Sequence, residues 1–194
     1  MKLKRLFDYD DYKGTKNYLK TQSRYEIART VLYFAISLSL FAAGIISTGD
    51  KMNLLTIVAV LGCLPACKSV VTMIMFLRYK GCTQGDMDIL QNIEQKMTQL
   101  WDMVFTTYNK NFVFSHVTIC GNTVVLYSAD GKIDEQAAIK HLQNSLVLDG
   151  MKNISFKIYT NIEKYMQRVE QLTELQVDEE VSFAVKRTLL SIAL

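Results

Sequence analysis

The chain has 194 residues, 49% of them hydrophobic and 21% charged, with a formal net charge of +3. That is room for one ordinary domain and something smaller. The charge is uneven: residues 1–29 hold eight Lys or Arg against four acids, and residues 79–194 hold eleven against fourteen, an acidic balance that argues against a nucleic-acid-binding domain.

Residues 1–29 read as a basic N-terminal segment, and its stretch from Lys13 to Arg29, aromatic and basic together, is expected to lie against anionic headgroups. From Thr30 to Gly49 there is no charge. At about 1.5 Å per residue this stretch reaches roughly 30 Å, the thickness of a hydrocarbon core. Ser37, Ser39 and Ser47 can bond to carbonyls one turn earlier and do not spoil the span. A secretory signal peptide is the competing reading, but it usually has a shorter apolar region and a shorter lead. Asp50 and Lys51 form a short turn, and a second apolar run extends from Met52 to Leu77. Residues 30–78 therefore read as a transmembrane helical hairpin, with spans at 30–49 and 52–77.

Two residues interrupt the second run. Pro65 removes a helical donor and is expected to kink the helix near Leu61. Lys68 lies ten residues before Arg78, roughly 15 Å along a helix, and a mid-membrane lysine costs on the order of 3 kcal/mol. It either snorkels along a tilted helix with Ser69 to Leu77 at the interface, or faces an oligomer axis or pore, or belongs to a re-entrant segment. Lys68 and Pro65 are therefore candidate functional residues of the membrane part. The basic flanks before the first span and after the second place both termini in the cytoplasm by the positive-inside rule. Cys63, Cys67, Cys82 and Cys120 have neither disulfide nor zinc spacing and read as free thiols in a reducing compartment. Cys82, close behind Arg78 and Lys80, is an acylation candidate.

The remainder, residues 84–194, reads as a small cytoplasmic α/β domain with the order α-β-β-α-β-α-α, so the fold class is an α+β membrane protein. Leu90, Ile93, Met97, Leu100, Trp101 and Val104 draw one stripe on a helix over 84–108, fading at Asn109 to Asn111. Two apolar runs around Gly121-Asn122 predict a β-hairpin buried on both faces. Asp134 can cap a helix to about Leu148, and residues 154–160 make a third strand. Thr160 with Glu163 fits a capping box for a helix over 161–176, and Asp178, Glu179 and Glu180 open a final helix at the positive end of its dipole.

The segment FVFSHVTICGNTVVLYSADGK, residues 112–132, resembles the centre of the nuclease-related NERD domain, a branch of the restriction-endonuclease-like fold. That family shows an Asp-His pair opening a strand, a Gly-Asn or Gly-Gly hairpin and a strand ending in Glu-x-Lys, then a helix and a further strand. The resemblance covers about residues 112–160. Its metal-binding Asp aligns with Ser115, and its Glu-x-Lys position falls in Leu126-Tyr127-Ser128, so the carboxylates such a nuclease needs to hold Mg²⁺ are missing. The resemblance therefore implies a scaffold without its catalysis, and fold alone does not give function.

His116 and His141 are the only histidines; they could meet across strand and helix as ligands or acid-base groups, or sit as satisfied structural residues. Asp130-Gly131-Lys132 is a turn rather than a phosphate loop. Ser115, His116, His141 and Asp130 are the weaker candidates in the soluble domain, and no catalytic residue, metal site or cofactor is expected. Three functions fit. The first is a non-enzymatic, membrane-anchored interaction or assembly module, with the lipid bilayer and a protein partner or a second copy as its associates. The second is a ligand-sensing effector in which the domain controls a hairpin oligomer around Lys68. The third is a divergent nuclease relative with displaced carboxylates such as Asp130 or Asp134.

Overall fold

The structure, a computed structural model, describes residues 5, 6, 8, 10–93, 97–108, 110–173 and 178–194. The chain forms two compact units, one built from residues 19–80 with the N-terminal tip, the other from residues 10–18 and 81–194.

The first unit is a helical hairpin. Helix α1 spans Tyr18–Thr48 and α2 spans Leu54–Arg78. The expected span at 30–49 is thus the second part of a longer helix whose charged first turns carry straight into it. The connection is fixed by side chains: Asp50 Oδ1 accepts from the Met52 amide at 3.2 Å, and Asn53 Oδ1 caps α2 by accepting from the Thr56 amide at 2.8 Å. Pro65 lies inside α2, which runs unbroken from 54 to 78.

Small side chains set how the two helices meet. The Thr30 and Ser69 hydroxyls share a hydrogen bond of 2.8 Å. A Cβ added to Gly62 would stand 2.9 Å from Ser37 Oγ, and one added to Gly44 would stand 3.0 Å from Leu55 Cβ. Residues 30, 37 and 44 thus meet 69, 62 and 55, a seven-residue step in opposite directions, as in an antiparallel coiled pair. Ala59 and Ala66, also buried in α2, continue this close-packed seam. Away from it the helices are bare. Both are long and apolar enough to cross a bilayer, yet only 17% of the most apolar window of each is buried. Leu54, Leu64 and Ile46 are 77%, 68% and 84% exposed, which the core helices of a soluble domain would not be.

The seam gives a test of register. Cysteines placed at Thr30 and Ser69, in a chain otherwise freed of cysteine, should form a disulfide on mild oxidation. Adding Gly62→Leu, which drives a side chain into Ser37, should suppress that cross-link and cost about 1–3 kcal/mol by overpacking. A Gly62→Leu chain that cross-links as well as its parent would show that the helices do not meet there.

The second unit is a four-stranded sheet between helices. Its elements are α3 (Gln84–Leu90), β1 (Thr98–Thr106), β2 (Asn111–Cys120), β3 (Thr123–Tyr127), α4 (Glu135–Leu148), β4 (Ser155–Tyr159), α5 (Ile162–Thr173) and α6 (Glu179–Ile192). Strand order is β1-β2-β3-β4, with the first three antiparallel and β4 parallel to β3, so α4 is the crossover that a parallel pair requires. One face packs Phe105, Phe114, Val117 and Leu126 against α4 and α6. The other packs Trp101, Val125 and Tyr127 against α3 and α5.

The expected hairpin is present: β2 and β3 turn at Gly121, whose φ of +52° suits glycine. Asp134 caps α4 by accepting from the Ala137 amide at 3.1 Å, and Asp178 caps α6 by accepting from Val181 at 3.1 Å. Two expectations need correction. The single helix over 84–108 is a short helix followed by β1, with residues 94–96 and 109 outside the described ones. Met97, Leu100, Trp101, Met103, Val104 and Phe105 are all buried; an apolar run that dense fits a strand covered on both faces as well as a helical stripe, and pairing with β2 decides it. Asn161, not Thr160, caps α5, its Oδ1 accepting from the Glu163 and Lys164 amides at 2.8 and 3.1 Å; the expected end at 174–176 is outside the described residues.

The basic segment is divided between the two units. Residues 10–18 belong to the α/β unit: the Trp101 amide donates to the Gly14 carbonyl at 2.9 Å, Lys13 Nζ donates to the Ala193 carbonyl at 2.9 Å, and Lys16 Nζ stands 5.1 Å over the Trp101 ring. The Leu194 amide donates to Val104 at 3.0 Å. Both ends of the unit's chain thereby cover the outer edge of β1, satisfying backbone groups that an edge strand leaves open.

Candidate functional site

Two places gather the polar residues singled out in the sequence. The first lies in the hairpin. The seam puts Lys68 level with Val31, two residues from Arg29. Arg29, Tyr33, Pro65, Lys68, Ser69 and Thr72 line one cavity of about 400 Å³. The structure thus brings Lys68 and Pro65 together, and adds Arg29 from the other helix. Arg29 is already engaged: it pairs with Glu26, a buried carboxylate that also accepts from Gln22 Nε2 at 3.0 Å. Lys68 is exposed, and among the described residues no acid pairs with it.

The second place is the interior of the α/β unit. His116 and Thr118 project from β2 onto the α5 face, where Tyr165 meets both. His116 Nδ1 and Thr118 Oγ1 each lie 2.7 Å from the Tyr165 hydroxyl, which has one proton to give and lone pairs to accept with. Trp101 stands edge-on to the imidazole at a centroid distance of 4.3 Å. Burial first, and the Lys16 charge second, push the His116 imidazole down to about 3. Burial likewise holds the Tyr165 phenol above its ordinary range. Nε2 of His116 is buried with no hydrogen-bond partner. Such a neutral, enclosed imidazole holds side chains in register and is poorly placed to exchange protons with a solute.

His141 does not join it. Its ring packs near Phe112 at 6.5 Å, on the face that carries α4, so the sheet separates the two histidines. Ser115 is buried in β2, where it faces the level of Asp102 on β1. Asp102 has a φ of +53°, and strand alternation breaks there in both strands. Its Oδ1 accepts from the Cys82 amide at 2.7 Å, and the carboxylate sits so close that a Cβ on Gly81 would meet it at 2.9 Å. Burial, then Asp86 and Asp102, raise the Cys82 thiol to about 12; a buried thiol so far from thiolate is a poor acylation target. Asp130 is exposed and closes its own turn, accepting from the Lys132 amide at 3.0 Å. Asp134 is occupied by its cap and by Lys110 Nζ at 2.7 Å. Among the described residues no three His, Cys, Asp or Glu side chains converge as a metal site would require.

No family model, no curated protein and no solved structure matches this chain.

Tyr33, Ser69, Thr72 and Arg29 escaped the sequence reading, as did Tyr165, Thr118 and Asp102. The small residues Ala59, Gly62, Ala66 and Ser69, spaced three and four apart, were the available signal for the first group, because that spacing fixes which residues of α2 face α1.

Proposed function

We propose that this chain is a two-span membrane protein with both termini in the cytoplasm, whose α/β unit serves there as a non-enzymatic interaction or assembly module. The observation that carries the reading is the bareness of the hairpin: two paired helices keep most of their apolar surface uncovered, and lipid is the solvent that removes its cost. Charge placement supports it. The basic groups Arg29, Lys68 and Arg78 lie on one side of the charge-free stretches, and only Asp50 and Lys51 lie at the turn. The non-enzymatic half rests on the His116 cluster being sealed and on Ser115, Asp130 and Asp134 being buried or already engaged.

Two measurements test this. In a cysteine-free chain in intact cells, Asp50→Cys should react with a membrane-impermeant maleimide, and Glu170→Cys should react only after permeabilisation; the reverse pattern overturns the orientation. Cross-linking in native membranes should give a homo-oligomer or a discrete adduct with a second protein. Monomer alone, with nothing co-purifying, would remove the assembly role.

A further inference from the structure

The hairpin cavity holds a charge that the hairpin does not balance. Arg29 has Glu26 as its counter-ion, whereas Lys68, on the opposite wall, is exposed with no acidic partner among the described residues. Its level is informative. On α1 the charge-free stretch begins at Thr30, and on α2 it ends at Ala66-Cys67, next to Lys68. The pairing of Thr30 with Ser69 brings these two limits together. On the two-span reading, on which this inference rests, the cavity therefore opens where hydrocarbon gives way to headgroups, not at mid-membrane. Toward the turn from Lys68, Leu64 and Leu61 are 68% and 58% exposed, an apolar track on the same helix along which an acyl chain can lie.

We propose that this cavity binds a phosphate anion presented by an anionic phospholipid of the cytoplasmic leaflet. Lys68 Nζ is the counter-charge, the remaining N–H groups of Arg29 and the Tyr33 hydroxyl are further donors, and the acyl chains run toward the turn over Leu64 and Leu61. The chemistry follows from the wall. Ammonium and guanidinium groups within one small cavity favour a compact, multiply accepting oxyanion, and a basic pocket between membrane helices on the cytoplasmic side is a setting in which headgroups are held. Binding also answers the anomaly in the sequence, because a lysine close to hydrocarbon is stabilised when an anion meets it there.

The test uses the full-length protein in a neutral maltoside detergent, titrated with short-chain phosphatidylglycerol, short-chain phosphatidylcholine or inorganic phosphate, and read by thermal shift and native mass spectrometry. Phosphatidylglycerol should bind saturably and raise the transition temperature, with phosphatidylcholine weaker. Lys68→Gln should weaken phosphatidylglycerol binding about tenfold, as loss of a charge-assisted contact does. Lys68→Arg should restore most of it, and Lys51→Gln at the turn should leave it unchanged. Equal binding by the parent and Lys68→Gln overturns the site. Binding of inorganic phosphate as tight as that of the lipid overturns the lipid source. The underlying reading is checked separately: if the chain stays in alkali-washed membranes while the lipid titration fails, only this inference falls, and if it is a soluble monomer without detergent, the two-span reading falls with it.

Discussion

Tyr165→Phe should destabilise the α/β unit by about 3 kcal/mol, although it removes a single oxygen. Tyr165, His116 and Thr118 are all fully buried, and the Tyr165 hydroxyl is the group that both His116 Nδ1 and Thr118 Oγ1 meet at 2.7 Å. Taking it away leaves two enclosed polar atoms without a partner, each costing about 1–3 kcal/mol. Domains hold only about 5–15 kcal/mol in total, so the change should be plain in a urea titration. Trp101, the only tryptophan, stands against the His116 ring and reports on the network by its fluorescence. Removing one of the two partners as well, with Thr118→Val added to Tyr165→Phe, should recover part of the loss, because a paired deletion strands fewer polar atoms. A Tyr165→Phe chain whose urea midpoint matches the parent would mean that the hydroxyl contacts contribute little.

Some of this architecture is readable in the residues and some is decided only by tertiary contact. The two long apolar helices are legible because a charge-free length is a one-dimensional property, and the β2–β3 hairpin, α4 and β4 are legible because Gly121-Asn122, Asp130-Gly131 and Asp149-Gly150 punctuate them. β1 is not, since Leu100-Trp101-Asp102-Met103-Val104-Phe105 carries apolar residues at almost every position and satisfies either period. Which face its side chains take is hidden further by Asp102, where the alternation of β1 and β2 breaks together. The docking of Gly14 on Trp101 depends on a left-handed glycine, φ +73°, with Leu100 so near that a Cβ would stand 2.7 Å from it; nothing in a short, mixed-charge segment announces that. The candidate site divides in the same way. Lys68 stands out as a lysine in an apolar run, but its neighbour Arg29 is 39 residues earlier and is brought level only by the register of Thr30 on Ser69. Likewise His116 is conspicuous, and Tyr165, which fixes it, reads as one more apolar position on an amphipathic helix.

Acid should unfold the α/β unit through His116, and the sign follows from where the proton goes. In the unfolded chain the imidazole titrates at its ordinary value of 6.5, and in the folded one burial, aided by Lys16, holds it down at about 3. Between those values the unfolded state binds a proton that the folded state refuses, so stability is intact above pH 6.5 and falls as the pH drops toward 3. One such group gives a slope of up to about 1.4 kcal/mol per pH unit, on the order of 4 kcal/mol across the window. Urea midpoints of the full-length protein at pH 7.5, about 5.5 and about 4.5 should therefore decline steeply, and the decline should be shallower by roughly one proton in His116→Asn. His141, on the far side of the sheet, is common to both chains and cancels in the comparison. The folded state offers an independent check. A protonated imidazole quenches a neighbouring indole, so Trp101 emission in native protein should show no step near pH 6.5, because His116 stays neutral there. A quenching step at that pH, or identical slopes in parent and variant, would mean that water reaches the imidazole and that the cluster is open to solvent.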